Sequence, residues 1–185
     1  TEWIDRTTVE SSFSDSEISS PIGLEVTSIA TAFKGGERAD YLVLEYILKN
    51  RTSERLSGLY VGQMADFDVE PYEQNEVLYN DQKVINYTRV TSGSGMHIGL
   101  QLLSEESKAQ FYAVDQVNGG AGGVDVMDND VFSTQEKYTT LSEHRRFAGQ
   151  SDNGSDVFQV MGRGPISLSP GVTDTVSFAL IIGES

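Results

Sequence analysis

The chain has 185 residues and a formal net charge of −15, from 28 acidic against 13 basic side chains. Such a surface repels phosphate backbones, so nucleic acid is excluded as a partner, and the absence of cysteine removes disulfides, thiolate metal sites and a cysteine nucleophile. No stretch approaches the roughly 20 apolar residues that span a bilayer, so no membrane insertion is expected.

The opening "TEWIDRTTVESSF" has neither the basic nor the apolar region of a signal peptide, so either a leader has been removed or the sequence is a segment of a longer chain. Strand signals then dominate. "IGLEVTSIATAF" (22–33) alternates, and "GG" at Gly35 and Gly36 marks a turn. "ADYLVLEYILKN" (39–50) sets Leu42, Leu44, Tyr46 and Leu48 on one face, with a second face that is also largely apolar, as in a central strand. After the polar turn "NRTSERLSG", "GLYVGQMADFDV" reads as a third strand that delivers Asp66 and Asp68 to its end and runs into the polar "EPYEQNEV".

Further strands are expected at 83–90, 96–104, 109–117, 156–164 and 174–183. Between them lie the turn-rich "TSGSG", "NGGAGG", "GQSDNGSD" and "LSPGVTD". One segment has helical spacing: Phe132, Glu136 and Thr139 or Thr140 predict a short helix over about 134–142, capped by Ser133 or Thr134. The expected fold is all-β, one antiparallel β-sandwich (fibronectin/immunoglobulin-like or larger) spanning 1–185 with one short helix.

Two histidines are available for chemistry, His97 in a strand and His144 after the helix. A hydrolytic triad is not supported, because Ser94 joins two strands without the G-x-S-x-G spacing of a nucleophile elbow. Calcium is the sharper expectation, since hard cations take six to eight oxygens. Asp66 and Asp68, on one strand face, with Asn75 and Asp81 form the candidate site. The loops Asp125–Asp128–Asp130 and Asp152–Asp156 read as solvated turns, and none matches an EF-hand. Glycan binding is the alternative, with rings drawn from Trp3, Tyr72, Tyr79, Tyr87 and Tyr112 and the candidate ligand platform at Tyr72 and Tyr79. Three sequons, at Asn50, Asn86 and Asn153, recur often by chance.

The ordered strings "SPIGLEVTSIATAF", "DYLVLEYILKNRTSERLSGLYVGQMADFDV", "HIGLQLLS", "FYAVDQ", "FSTQEKYTTLS" and "DVFQVMGRGPISLSPGVTDTVSFALIIGES" cover nearly the whole chain. Together they resemble a domain of unassigned function in large secreted proteins of Bacteroidetes-type bacteria, often joined to subtilisin-like peptidase or type IX secretion domains. Asp66-Phe67-Asp68 corresponds to that family's D-[WF]-D element. Gly164, Pro165, Leu168, Pro170, Gly171, Phe178, Ala179 and Leu180 correspond to its closing strand. The resemblance implies an extracellular or cell-surface, non-catalytic accessory or structural module contacting other domains of its chain or cell-surface partners. The acidic and aromatic residues above add calcium as a stabilising ion and glycans as a further partner. Three alternatives stand beside it: a glycan- or polymer-binding module, a surface-fibre subunit joined through edge strands, and a carbohydrate-active enzyme.

Overall fold

The computed structural model describes residues 5–36, 39–93, 95–116, 123–124, 132–149 and 153–184. The fold is an antiparallel β-sandwich with one α-helix, as the alternation predicts. The first strands are β1 (Arg6–Ser14), β2 (Leu24–Phe33), β3 (Tyr41–Asn50), β4 (Leu56–Ala65) and β5 (Asn75–Asn80). They are followed by β6 (Ile85–Val90), β7 (Met96–Leu102) and β8 (Ala109–Asp115). The helix α1 (Thr134–Ser142) then precedes β9 (Val157–Leu168) and β10 (Thr173–Glu184). Seven strands form one sheet in the order β1-β2-β3-β10-β7-β6-β5, and β4-β9-β8 form the second.

The inner face of the large sheet is the one the period-two pattern selects. Leu44 pairs across Phe178 to Leu102, and Leu42 across Leu180 to Leu100. Phe111, Met161, Ile166 and Leu168 of the small sheet close on these side chains from the other side. The layer between the sheets also contains polar struts. Asn86 donates its amide to the Val160 carbonyl at 2.9 Å, and Gln159 donates to Thr88 Oγ1 at 3.2 Å. Asn50 is fully buried and donates to the Leu168 carbonyl at 3.0 Å. Two of the three sequon asparagines are thus interior struts, and burial keeps a glycan from either.

β9 is buried on both faces because it is central in its sheet and α1 lies across its outer side. Phe158 and Val160 form that outer layer with Tyr112 and Val114, and Leu141 of α1 packs on them. Leu141 descends into a notch between Gly62 and Gly162, where an added Cβ would stand 2.3 and 2.9 Å from its Cδ2. Ser133 caps the helix in a reciprocal capping box with Glu136, on the residues the spacing selects.

The sequence reading misses two strands. β1 is exposed along its whole length and, among the described residues, pairs with β2 alone, so no buried face disciplines its pattern. β5 begins inside the stretch read as a loop. Asn75, fully enclosed, accepts from the Val69 N–H at 2.9 Å and donates to the Val69 carbonyl at 2.6 Å. The polar segment that looks solvated is therefore tied down by its own asparagine. Arg145, Ala148 and Ser155 then stitch the two sheets along one side. Arg145 exchanges backbone hydrogen bonds with β8, and Ala148 and Ser155 with β5.

Candidate functional site

Three polar assemblies stand out on the scaffold. In the first, the end of β4 and the start of β9 bring Asp66, Asp68 and Asp156 together, with carboxylate oxygens all within 4.8 Å of one another. Gln116 bridges two of them, donating to Asp66 Oδ2 and Asp156 Oδ1 at 3.0 Å each. Partial burial raises the Asp66 pKa, with Asp68 adding repulsion and Gln116 opposing both. Asp156 is raised by burial first and then by the charges of Asp66, Asp68, Asp115 and Glu73. The cluster offers a divalent cation three carboxylates, and to reach the six to eight oxygens calcium takes these would bind bidentately or be joined by carbonyls and water.

Asn75 and Asp81 do not join it. Asn75 is occupied by Val69 and by the Pro71 carbonyl. Asp81 pairs with Arg146, its Oδ1 accepting from Nη2 at 2.7 Å, and this pairing lowers its pKa. Asp156 comes from the loop read as a solvated turn. Asp125, Asp128, Asp130 and Asp152 lie outside the described residues, as do Trp3 and Ser94.

Asp81 belongs to the second assembly, where the stitched side of the sandwich holds an aromatic stack packed against the core. Tyr79 lies on Phe111 with centroids 3.6 Å apart and planes 11° from parallel, and the Arg146 guanidinium sits 5.4 Å from both rings. His144 leans on Phe111 at 4.4 Å, and its Nε2 is 2.7 Å from Gln110 Oε1. The Gln110 amide nitrogen donates to the Gly164 carbonyl, so its oxygen must accept and His144 Nε2 must donate. Burial and the nearby Arg146 charge lower the His144 pKa. Tyr79 thus gives one ring face to Phe111. Tyr72 stands exposed in a single 3₁₀ turn before β5, while Tyr79 lies near that strand's far end, so the two do not form one platform.

The third assembly is a groove of about 250 Å³ on the open face of the large sheet. Its floor follows from register. Tyr87 of β6 stands opposite Gly99 of β7, which in turn stands opposite Ile181 of β10. One row along, His97 stands opposite Gly183, and the Tyr87 and His97 rings lie 5.8 Å apart at 47°. Asn80 and Lys83 line the opposite end, with Ile85 beside Tyr87. Glycine at 183 keeps the groove open, since a Cβ built there meets nothing within 4 Å and would project into free space.

Hydrogen bonds fix the donor set of the groove. The Gly95 carbonyl lies 3.2 Å from His97 Nδ1, and a carbonyl only accepts, so Nδ1 carries the proton and Nε2 is the basic nitrogen of the neutral ring. Asn80 Oδ1 accepts from the backbone N–H groups of Gln82 and Lys83 at 3.0 and 3.2 Å, which leaves its NH₂ as a donor. Gln101 anchors the same turn by donating to the Lys83 carbonyl at 2.8 Å. Sequence reasoning names Tyr87 and His97 but does not join them. The available signal is strand parity: Tyr87, His97, Gly99 and Gly183 all fall on the face opposite the core residues.

No family model matches the chain, and no curated protein matches its sequence. Its fold is similar to the solved structure of an Escherichia coli K12 protein described as "Putative aldose 1-epimerase". The TM-score is 0.52 at 11% identity, and the match covers 96% of this chain and 66% of that one. The chain therefore spans somewhat less than two thirds of that protein, and at this identity the likeness is one of fold. It corrects three expectations. The resemblance to a secreted Bacteroidetes-type domain does not hold, because the motifs behind it are strand-and-turn patterns that any sandwich can carry, and the similar structure is of another kind. The non-catalytic accessory module and the expectation of no enzyme fall with it, since this scaffold also occurs in a protein described as an epimerase.

Proposed function

We propose that the chain is a carbohydrate-active domain that binds a sugar ring in the Tyr87–His97 groove and moves a proton at its anomeric hydroxyl. The observation that carries this reading is the groove itself. An aromatic ring, an oriented imidazole and two amide or ammonium donors surround a floor kept clear by Gly99 and Gly183. Sugar rings stack their C–H faces on aromatic rings and present hydroxyls to polar groups around them. The fold similarity to a protein described as an aldose epimerase supports the same class of ligand.

The chemistry is a ring opening. His97 Nε2 accepts the proton of the anomeric hydroxyl, the bond from C1 to the ring oxygen breaks, and water protonates that oxygen on the open side of the groove. On closure at either face of the resulting aldehyde, the ring-forming hydroxyl gives its proton back to the hydroxide left by that water and its oxygen re-forms the bond to C1. His97 returns its proton to the carbonyl oxygen, so the anomers exchange. General acid–base catalysis of this kind contributes about 10²–10⁴-fold.

The test is anomer interconversion of freshly dissolved aldoses followed by polarimetry or proton NMR. Wild-type protein is expected to accelerate it. His97→Gln is expected to lose about a hundredfold or more of that acceleration while still binding sugar. Gly183→Leu fills the groove without straining the backbone and is expected to lose binding itself. Sugar binding that survives Gly183→Leu unchanged would place the site elsewhere.

A further inference from the structure

The groove carries a charge pattern opposite to that of the protein around it. The chain has more than two acids for every base, yet among the described residues none that lines the groove is acidic, and Lys83 and His97 both are basic residue types. The Lys83 end is also the most firmly built part of the rim. The turn is held from inside by Asn80 Oδ1 on two successive N–H groups and from across the sheet by Gln101 on the Lys83 carbonyl. This arrangement presents an ammonium and an amide NH₂ as adjacent donors at one end, with the Tyr87 ring between them and His97.

We infer that the sugar taken by this groove carries a negative charge, as a carboxylate or a phosphate ester, held by Lys83 and the Asn80 amide. The inference rests on the groove being the sugar site. A strongly negative surface disfavours an anionic ligand everywhere else, so local reversal of charge selects for one where it occurs. A neutral hydroxyl can accept from the ammonium but carries no charge to pair with it, whereas an anionic oxygen forms a hydrogen-bonded ion pair with it. Such bonds are worth about 1.5–3 kcal/mol, or tenfold and upward in affinity. The carboxylate and phosphate forms share this chemistry, and separate probes distinguish them.

The experiment titrates the purified chain with glucose, glucuronate, glucose 6-phosphate and inorganic phosphate, by calorimetry or NMR shift. At least one anionic sugar is expected to bind about tenfold or more tightly than glucose, with the advantage shrinking at high salt. Lys83→Met is expected to abolish that preference. Asn80→Asp retains the oxygen that caps the turn but replaces the donor with a charge, and should lose the anionic sugars most. Whichever of glucuronate and glucose 6-phosphate binds more tightly identifies the charged group. Glucose binding as well as both anionic sugars would overturn the inference and leave the sugar site standing. Inorganic phosphate matching the anionic sugars would overturn it in favour of a bare anion contact. Failure of every sugar to bind would overturn it together with the sugar site.

Discussion

At the scale of single residues, Asp68 shows how one charge sets the behaviour of its neighbours. It repels both Asp66 and Asp156, and with burial it raises their pKa values above the ordinary 3.8. Between 3.8 and the raised native values the folded chain holds more protons than the unfolded one. Stability therefore falls as pH rises through that window, and the deficit persists above it. Asp68→Asn removes one source of repulsion, so in chelator at neutral pH its thermal midpoint should exceed that of the wild type by about 1–2 °C. The gain should fade as pH is lowered through the window. A lower midpoint in the variant would show that Asp68 is an anchor and not a burden. Calcium separates the two uses of the cluster: a cation held by three carboxylates would raise the wild-type midpoint and spare the variant's. His97 and Gly183 belong to this scale too, since one orients a proton and the other supplies only space.

At the scale of elements, the informative part is the segment from Asp66 to Asn80. Its composition of acids, asparagine and tyrosine suggests a solvated loop, and the structure turns it into a short 3₁₀ turn and the edge strand β5. Asn75 makes the difference, pairing its side-chain amide with both the N–H and the carbonyl of Val69. Asn75→Ala should cost about 2–3 kcal/mol in urea unfolding, because the Val69 carbonyl loses a partner that water does not replace. β9 shows another side of the problem. Pro165 sits within a strand that is central in its sheet, where proline is ordinarily excluded. It is tolerated because β8 pairs only as far as Arg163 and the β4 pairing is irregular between Leu59 and Val61. The strands with one buried face, β3 and β10, are read from sequence to within a residue or two. β1, with none, is invisible to the same rule.

At the scale of the whole molecule, the charge of −15 acts against compaction. Raising salt from about 20 to about 300 mM shortens the Debye length below the spacing of most surface charges. The thermal midpoint should rise by about 2–4 °C, the equivalent of roughly 1 kcal/mol for a chain of this size. A flat or falling midpoint would mean that ion pairs such as Arg163 with Asp174 outweigh the net repulsion. The same excess of acids makes the basic groove an exception on the molecule as a whole, and not the effect of one lysine.

What the sequence determined by itself is the all-β architecture, the position of the helix and its cap, and which face of each central strand turns inward. These depend on local periodicity and on hydrogen bonds within a few residues, so they are encoded where they act. The tertiary structure alone decided which polar residues meet. Asp156 reaches Asp66 across 90 positions of chain, and Asp81 leaves them for Arg146. Tyr87, His97 and Gly183 converge only because strand order sets β6, β7 and β10 side by side. Strand order follows from how two sheets bury their apolar faces together, a property of the whole chain that no short stretch of it contains.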